Sequence, residues 1–600
     1  MVRLVGAVQS GFRAMRIRRI VLLILALECV AGCSTTGQLT LSTSEMPQLV
    51  LSRSSADCMA DPPTNHMLAI DSRGNYRPIF APCGGGTMVH QVRPDHLAED
   101  GCQPVILSNP RIDPKMINDF SALRCQINRI IDALDKPVNG RPQHLVIFIH
   151  GGLVDQKEAL NYALGDIPKM ISDTAALEDF SGNPEGSGPH DILMKGSRLF
   201  PLFLNWPAGF LETYGDAITN YEQGIYDGTE REVEAPIYLG NDVAEVGARA
   251  PLDLLKSVHR YAGSEHELAY PDQGCMTNGH YGCNQIGIWQ RALLDGSLYA
   301  LSSPLRLVSV PMLDVATRAW KNMIARTRFG VDKYVDPQQY QRILQDKPAA
   351  DATGDARQSA AESEILTKGA FYLLFEGFKE RLYAEPNKPS CDAGAPRITL
   401  IGHSMGTMVA NELLHEFPQL PYENIVYMAA ATSVRDFTTM AEPVLRRPPC
   451  PDLRFYNLTL HQEWDARELE LHGFVAPEGS LLEWIDDIFE TPVTPADRTL
   501  GKWQNVVYAE NEFDAEASGR MFFHRFGLGA PDPLMHGEFT QVATSTHSGC
   551  PAIPYWEPQF WAEVRVLEGH TCHAVSWLVQ IDQGVPMRPF AEANAPEADR

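Results

Sequence analysis

Positive charge is scarce in this chain. Its 50 Lys and Arg residues face 75 Asp and Glu, a formal net charge of -25. No basic stripe outside the N-terminus offsets that excess, so a polyanion is repelled and nucleic acid is excluded as a partner. The apolar run Ile20–Leu27 falls well short of the roughly 20 residues that span a bilayer comfortably. The 12 cysteines include no C-x-x-C pair, the tight spacing that zinc prefers, which turns the reading toward disulfides. What is present is globular material. The 600 residues, 44% hydrophobic and 21% charged, suffice for one large decorated domain or two to three smaller ones.

Arg13, Arg16, Arg18 and Arg19 precede Ile20–Leu27, and the segment closes on Val30-Ala31-Gly32-Cys33. A basic stretch before a short apolar run has the charge layout of a secretory signal. The last four residues resemble a bacterial lipobox, whose cysteine becomes the lipidated first residue of the mature protein. A cleaved signal with an incidental cysteine is the plainer alternative, and Met15 is a more usual start than Met1. Ser34, rather than an aspartate, follows Cys33, which for bacterial lipoproteins implies the outer membrane. Acyl chains bury methylenes at about 0.8 kcal/mol each, so a multiply acylated Cys33 would hold the chain on a membrane. Residues 1–32 then form the signal and 33–56 a Ser/Thr-rich tether. Residues 57–140 form a disulfide-bearing extension with one clear helix, Ile117–Leu134. Beyond Cys29 and Cys33 lie Cys58, Cys83, Cys102, Cys125, Cys275, Cys283, Cys391, Cys450, Cys550 and Cys572. Cys102 with Cys125 and Cys275 with Cys283 would close short loops; the connectivity stays open.

Short apolar runs recur from residue 144 onward: His144–Ile149, Leu199–Trp206, Ile398–Ile401, Ile425–Ala431, Leu453–Leu460 and Arg520–Phe526. Near-continuous apolar runs are expected of parallel strands covered on both faces. The third of these runs opens RITLIGHSMGTMVANELL, Arg397–Leu414. A strand leads into Gly402-His403-Ser404-Met405-Gly406, and Met408, Val409, Leu413 and Leu414 then mark an amphipathic helix. A strand-to-helix turn this sharp strains its central residue and leaves room only for hydrogen at positions 402 and 406.

GHSMG between ITLI and TMVANELL is similar to the nucleophile elbow of the α/β-hydrolase superfamily. The resemblance implies an α/β-hydrolase fold, a mostly parallel central sheet with helices on both faces. It also implies a Ser-His-acid esterase, lipase or related acyl hydrolase with the triad in the chain order serine, acid, histidine. His150-Gly151-Gly152 follows the strand His144–Ile149. In that superfamily such a loop gives one amide of the oxyanion hole, here Gly152, and the residue after the serine, Met405, gives the other. His150 is then a structural hydrogen-bonding residue, and Ser404 stands proud at the strand tip. Residues 207–370 read largely helical through Ile237–Tyr261 and Leu305–Arg328, an inserted cap over the site. The hydrolase domain spans 141–580, and 581–600 is a polar tail.

A triad acid must orient the imidazole and stabilise its cation. By chain order Asp465, after Leu453–Leu460, comes first, with Glu463 and Asp436 as alternative acids. For the base, His536 beside Gly537 fits best, with Phe539 anchoring its loop; His547 is the alternative and His524 lies within a strand. The chemistry needs no metal or organic cofactor. The expectation is an exported serine hydrolase of carboxylic esters, held to the membrane through Cys33 and facing periplasm or exterior. A non-catalytic hydrolase-fold scaffold lipoprotein and an acyltransferase or thioesterase with the same triad are the alternatives.

Overall fold

The continuous apolar runs form one sheet. The computed structural model describes residues 49–51, 62–83, 87–105, 113–138, 140–152, 154–179, 199–209, 213, 319–334, 366–383, 391, 395–460, 465, 468, 479–490, 492–526, 533, 535–540 and 554–561, together with the short strands at 221–222, 225–226, 577–582 and 585–589. The main strands are β1 Met67–Ala69, β2 His144–Ile149, β3 Leu199–Asn205, β4 Ile398–His403, β5 Tyr422–Met428, β6 Arg454–Leu460, β7 Met521–Phe526, β8 Trp577–Asp582 and β9 Val585–Pro589. Their order in the sheet is β9-β8-β7-β6-β5-β4-β2-β3-β1. The seven strands β1 to β7 run parallel, and β8 and β9 add antiparallel at one edge. Every residue of β2, β3, β4, β5 and β7 is buried, as a sheet covered on both faces requires.

Helices supply the covering layers. They are α1 Pro114–Leu134, α2 Gln156–Asp179, α3 Ala370–Leu382, α4 Gly406–Glu416 and α5 Val434–Met440. Asp113 caps α1, its carboxylate accepting from the Lys115 amide at 2.8 Å, with Pro114 at the first helical position where its missing N–H costs nothing. α3 packs on α1 closely enough that a Cβ at Gly377 would lie 2.9 Å from Ile127 Cγ2.

Several elements differ from the sequence expectation. The extension 57–140 supplies an edge strand of the main sheet, β1, and the short strands Ile79–Pro82 and Met88–His90. Strands of three or four residues are too short for periodicity to register. β9 pairs with β8, where the polar tail after Asp582 was expected. β5 begins at Tyr422 and ends at Met428 rather than at Ala431, because Ala429 turns to a left-handed backbone, φ 45°. Of the proposed cap, helical residues 319–329 and a two-strand ribbon, Tyr221–Glu222 with Ile225–Tyr226, are described; Ile237–Tyr261 lies outside the described residues. Two disulfides join described cysteines: Cys102–Cys125, one of the expected neighbours, and Cys391–Cys450. Among the described residues no helix is long and apolar enough to cross a membrane.

The sheet order fixes where a site can form. The chain leaves β2 toward β3 on one side, while β4 continues on the other side of β2. At such a reversal the loops beyond the carboxyl ends of the two central strands diverge and open a crevice. Those loops carry Gly151-Gly152 after β2 and Ser404 after β4.

Candidate active site

Ser404 occupies the turn between β4 and α4 with φ 50°, a backbone conformation that costs a non-glycine residue about 1 to 3 kcal/mol. Hydrogen bonds on both sides hold it there. Its amide donates to the Met428 carbonyl at 2.9 Å, and its own carbonyl accepts from Thr407 N at 3.1 Å, Ala431 N at 3.1 Å and Thr407 Oγ1 at 2.7 Å. Gly406 is sterically required, since a Cβ there would collide with the carbonyl oxygens of Ile149 and His150, while one at Gly402 would press on Thr407 at 3.1 Å. The side chain is not proud of the surface, however. Ser404 is 1% exposed, and its Oγ has no hydrogen-bond partner among the described residues.

The loop after β2 lies against this turn. A Cβ at Gly151 would come within 2.8 Å of both Ser404 Cβ and His403 Nδ1, and one at Gly152 would meet Met405 Sδ and, at 2.8 Å, Met323 Cε. Gly152 and the Met405 side chain are therefore neighbours, and Met323 from helical residues 319–329 meets the same point. Three of its residues fasten that helix through polar contacts. Arg326 Nη1 donates to Pro207 O at 3.1 Å and Thr213 Oγ1 at 2.8 Å, Trp320 Nε1 donates to Glu490 Oε1 at 2.8 Å, and Arg328 pairs with Glu412 at 3.2 Å. His150 behaves as a structural residue. Its Nδ1 donates to Gly151 O at 2.8 Å, Nε2 accepts from Trp206 N at 3.2 Å, and burial holds its pKa down at about 4.

His536 opens a short turn, His536–Thr540, that Phe539 pins by packing edge-on against Phe526 at 5.5 Å. Two bonds set its main chain: the amide donates to Glu468 Oε2 at 2.9 Å, and the carbonyl accepts from His403 Nε2 at 3.0 Å. The two rings lie 5.2 Å apart. Neither imidazole nitrogen of His536 has a hydrogen-bond partner among the described residues; burial first, then the nearby His403, pushes its pKa down to about 3. Gly537 has no close neighbour where a Cβ would stand, so the glycine beside His536 is not what shapes this loop.

Asp465 is 4% exposed, with Oδ1 unpartnered among the described residues. Burial and then Glu483 raise its pKa to about 7, while Lys502 and a bond from Ser480 pull the other way and Glu468 adds to the rise. Asp436 is exposed in the first turn of α5, on the wall of a separate cavity of about 430 Å³ that Met408, Trp320 and Arg435 also line. Ser404 is not on that wall, although Met408 lies one helical turn below it. His524 on β7 stacks on Phe526 at 4.0 Å. Glu463, His547 and Cys33 lie outside the described residues.

The structure thus gathers Ser404, Gly152, Met405 and His536 around the carboxyl ends of β2 and β4, but no hydrogen bond joins serine, histidine and aspartate. Sequence reading missed His403, Glu468 and Lys502 as members of this neighbourhood. His403 stood within the motif; Glu468 and Lys502 sit in stretches with no spacing signal. Comparison with protein-family models, with curated proteins and with solved structures returned no match.

Proposed function

We propose that the chain is an exported, lipid-anchored serine hydrolase of the α/β-hydrolase type that cleaves carboxylic esters. The observation that carries this reading is the left-handed backbone of Ser404, held between β4 and α4 beside a glycine loop at a sheet reversal. Strain of this kind persists where surrounding contacts over-determine it, and it concentrates at functional residues. Further support comes from chain order: the acid and base candidates follow the next strands beyond the elbow strand's neighbour, Asp465 after β6 and His536 after β7.

In the proposed reaction Ser404 Oγ attacks the ester carbonyl while His536 takes its proton. Asp465 holds the imidazole and balances its charge, and the amides of Gly152 and Met405 receive the oxyanion. The proton passes to the departing alcohol, and water repeats the sequence on the acyl-enzyme. The N-terminal end of α4 faces the developing negative charge. Turnover requires Met323 to withdraw and the three groups to close up, since burial leaves His536 a weak base. Export and anchoring rest on the Arg-rich N-terminus and Cys33, with disulfides in keeping with an oxidising compartment.

A second reading draws on the burial of Ser404 and its lack of a bond to His536: a scaffold that keeps the fold without the chemistry. Fluorophosphonate labelling with mass mapping, followed by a p-nitrophenyl ester panel of increasing chain length, tests the proposal. An adduct on Ser404 with ester turnover supports it. No adduct on a folded, disulfide-intact sample, with or without added membrane, sinks it in favour of the scaffold.

A further inference from the structure

Lys502 is a buried ammonium, 5% exposed, at a place where the fold gives it several carboxylates to serve. It follows Gly501, whose amide donates to Ala430 O at 2.8 Å and whose missing side chain lets the turn lie on the Ala429-Ala430 backbone. Residue 502 then bridges in parallel to Leu460, the last residue of β6. This sets the Lys502 side chain at the carboxyl end of the strand from which the chain runs on to Asp465. Its Nζ lies 2.7 Å from Glu483 Oε1 and 3.8 Å from Asp486 Oδ2.

The carboxylates are not equivalent. Asp486 is fully engaged, accepting from Thr499 N at 2.8 Å, Thr499 Oγ1 at 3.2 Å and Asn505 Nδ2 at 2.7 Å. Glu483 has the close contact with Lys502. Asp465 is tied to the start of the short helix that carries Glu483: its carbonyl accepts from Ser480 N at 2.7 Å, and the Ser480 hydroxyl accepts from Glu483 N at 3.4 Å. One of its carboxylate oxygens is unbonded among the described residues, and Glu468, tied to the His536 amide, adds a further negative group. One buried cation thus faces more anionic capacity than it can neutralise. In a medium of low effective dielectric such an excess is relieved by keeping a proton on the least supported carboxyl, which here is Asp465.

We infer that Lys502 is a positioning residue for the proposed reaction, setting through the buried Lys502-Glu483-Asp486 cluster whether Asp465 carries the charge that His536 needs. This rests on the triad reading above. With Lys502 in place, Asp465 sits where a modest change in its surroundings ionises it, and the burial of Glu483 beside the same ammonium works against that ionisation. Removing the cation and removing the competing anion therefore act in opposite directions on the same group.

The test uses the full disulfide-intact chain and reads kcat/KM for a p-nitrophenyl ester against pH, with fluorophosphonate labelling of Ser404 alongside. Lys502→Gln should move the acid limb up by about one pH unit, Lys502→Arg should return it to the wild-type position, and Glu483→Gln should move it down. A merely structural lysine would lower the rate at every pH without moving the limb. If Lys502→Gln does not fold, the downward shift in Glu483→Gln decides the matter by itself. Labelling of Ser404 with limbs that stay put in the folded variants overturns the inference and leaves the hydrolase reading intact. Absence of any Ser404 adduct in the wild-type chain overturns both.

Discussion

His403 Nε2 donates to the carbonyl of His536 at 3.0 Å, joining residues 133 apart in sequence across the mouth of the sheet. The residue before Ser404 thereby holds the main chain of the candidate base. Burial keeps His403 itself neutral, its pKa down at about 4, so the strut stays a neutral donor through the working pH range. His403→Leu should strip the buried carbonyl of its donor, costing about 1 to 3 kcal/mol of stability. It should also lower kcat on the order of tenfold or more with little change in KM, because a base displaced by about an ångström loses reach. Steady-state kinetics with a melting curve checks this; a loss confined to stability would limit His403 to a structural part.

Ser404→Ala should abolish ester turnover while leaving stability unchanged or raised by up to about 1 kcal/mol. The hydroxyl is buried without a partner, so deleting it removes an unsatisfied group. Alanine keeps the Cβ and with it the left-handed backbone cost. Denaturant unfolding of both proteins gives the comparison, and a clear destabilisation would mean that Oγ has a partner after all.

The glycines of the site separate steric need from chemistry. At Gly406 a Cβ would strike backbone carbonyls of β2 and its loop, which cannot move aside; at Gly152 it would meet the flexible ends of Met405 and Met323. Gly406→Ala should therefore fail to give folded protein, whereas Gly152→Ala should fold and lose activity by crowding the oxyanion amide. Expression yield, circular dichroism and turnover distinguish the two cases. Folded, active Gly406→Ala would contradict the close approach of α4 to β2.

At the opposite end of the sheet Glu423 is 1% exposed, with neither carboxylate oxygen hydrogen-bonded among the described residues. Burial first, then Asp452, raises its pKa to about 7, with Arg397 opposing. A folded-state pKa above the unfolded value of 4.5 makes stability greatest at low pH and drains it as pH rises through about 7. Neighbouring His144, held neutral near a pKa of 4 by burial, acts the other way, losing stability as pH falls below its unfolded value of 6.5. Glu423→Gln removes only the first effect. Its stability relative to wild type should rise between pH 5 and 7 by on the order of 3 kcal/mol and then level off. Melting curves across pH 5 to 8 measure the difference; a flat one would place the Glu423 charge in water.

The Cys391–Cys450 disulfide closes a loop with a sequence separation of 59, pinning the entry to β4 against the entry to β6. On the chain-entropy account a loop of that size contributes about 4 kcal/mol. The double variant Cys391→Ser, Cys450→Ser should unfold at correspondingly lower denaturant with Ser404 labelling retained in the folded fraction. An unchanged midpoint would show that the strands need no such tie.

Much of this was legible in the chain itself, and the rest divides along physical lines. HLVIFI and LFPLFLN had to be buried strands, since apolar side chains on both faces admit no solvent. GHSMG was legible as a tight turn from its two glycines, although the carbonyls that bar a side chain at Gly406 belong to Ile149 and His150. Both arguments concern neighbours within a few residues, which sequence displays directly. Where β5 ends was hidden, because Tyr427, Met428 and the alanines after them are equally apolar while only the left-handed Ala429 breaks the strand. Glu423 and Asn424 read as polar, and only their place in the middle of the sheet made them core. Which groups surround the candidate base was decided wholly by tertiary structure. His403, the stretch with Asp465 and Glu468, and Lys502 arrive from three separate segments, and a charge's effect depends on distance and burial in the folded state, neither of which spacing along the chain records.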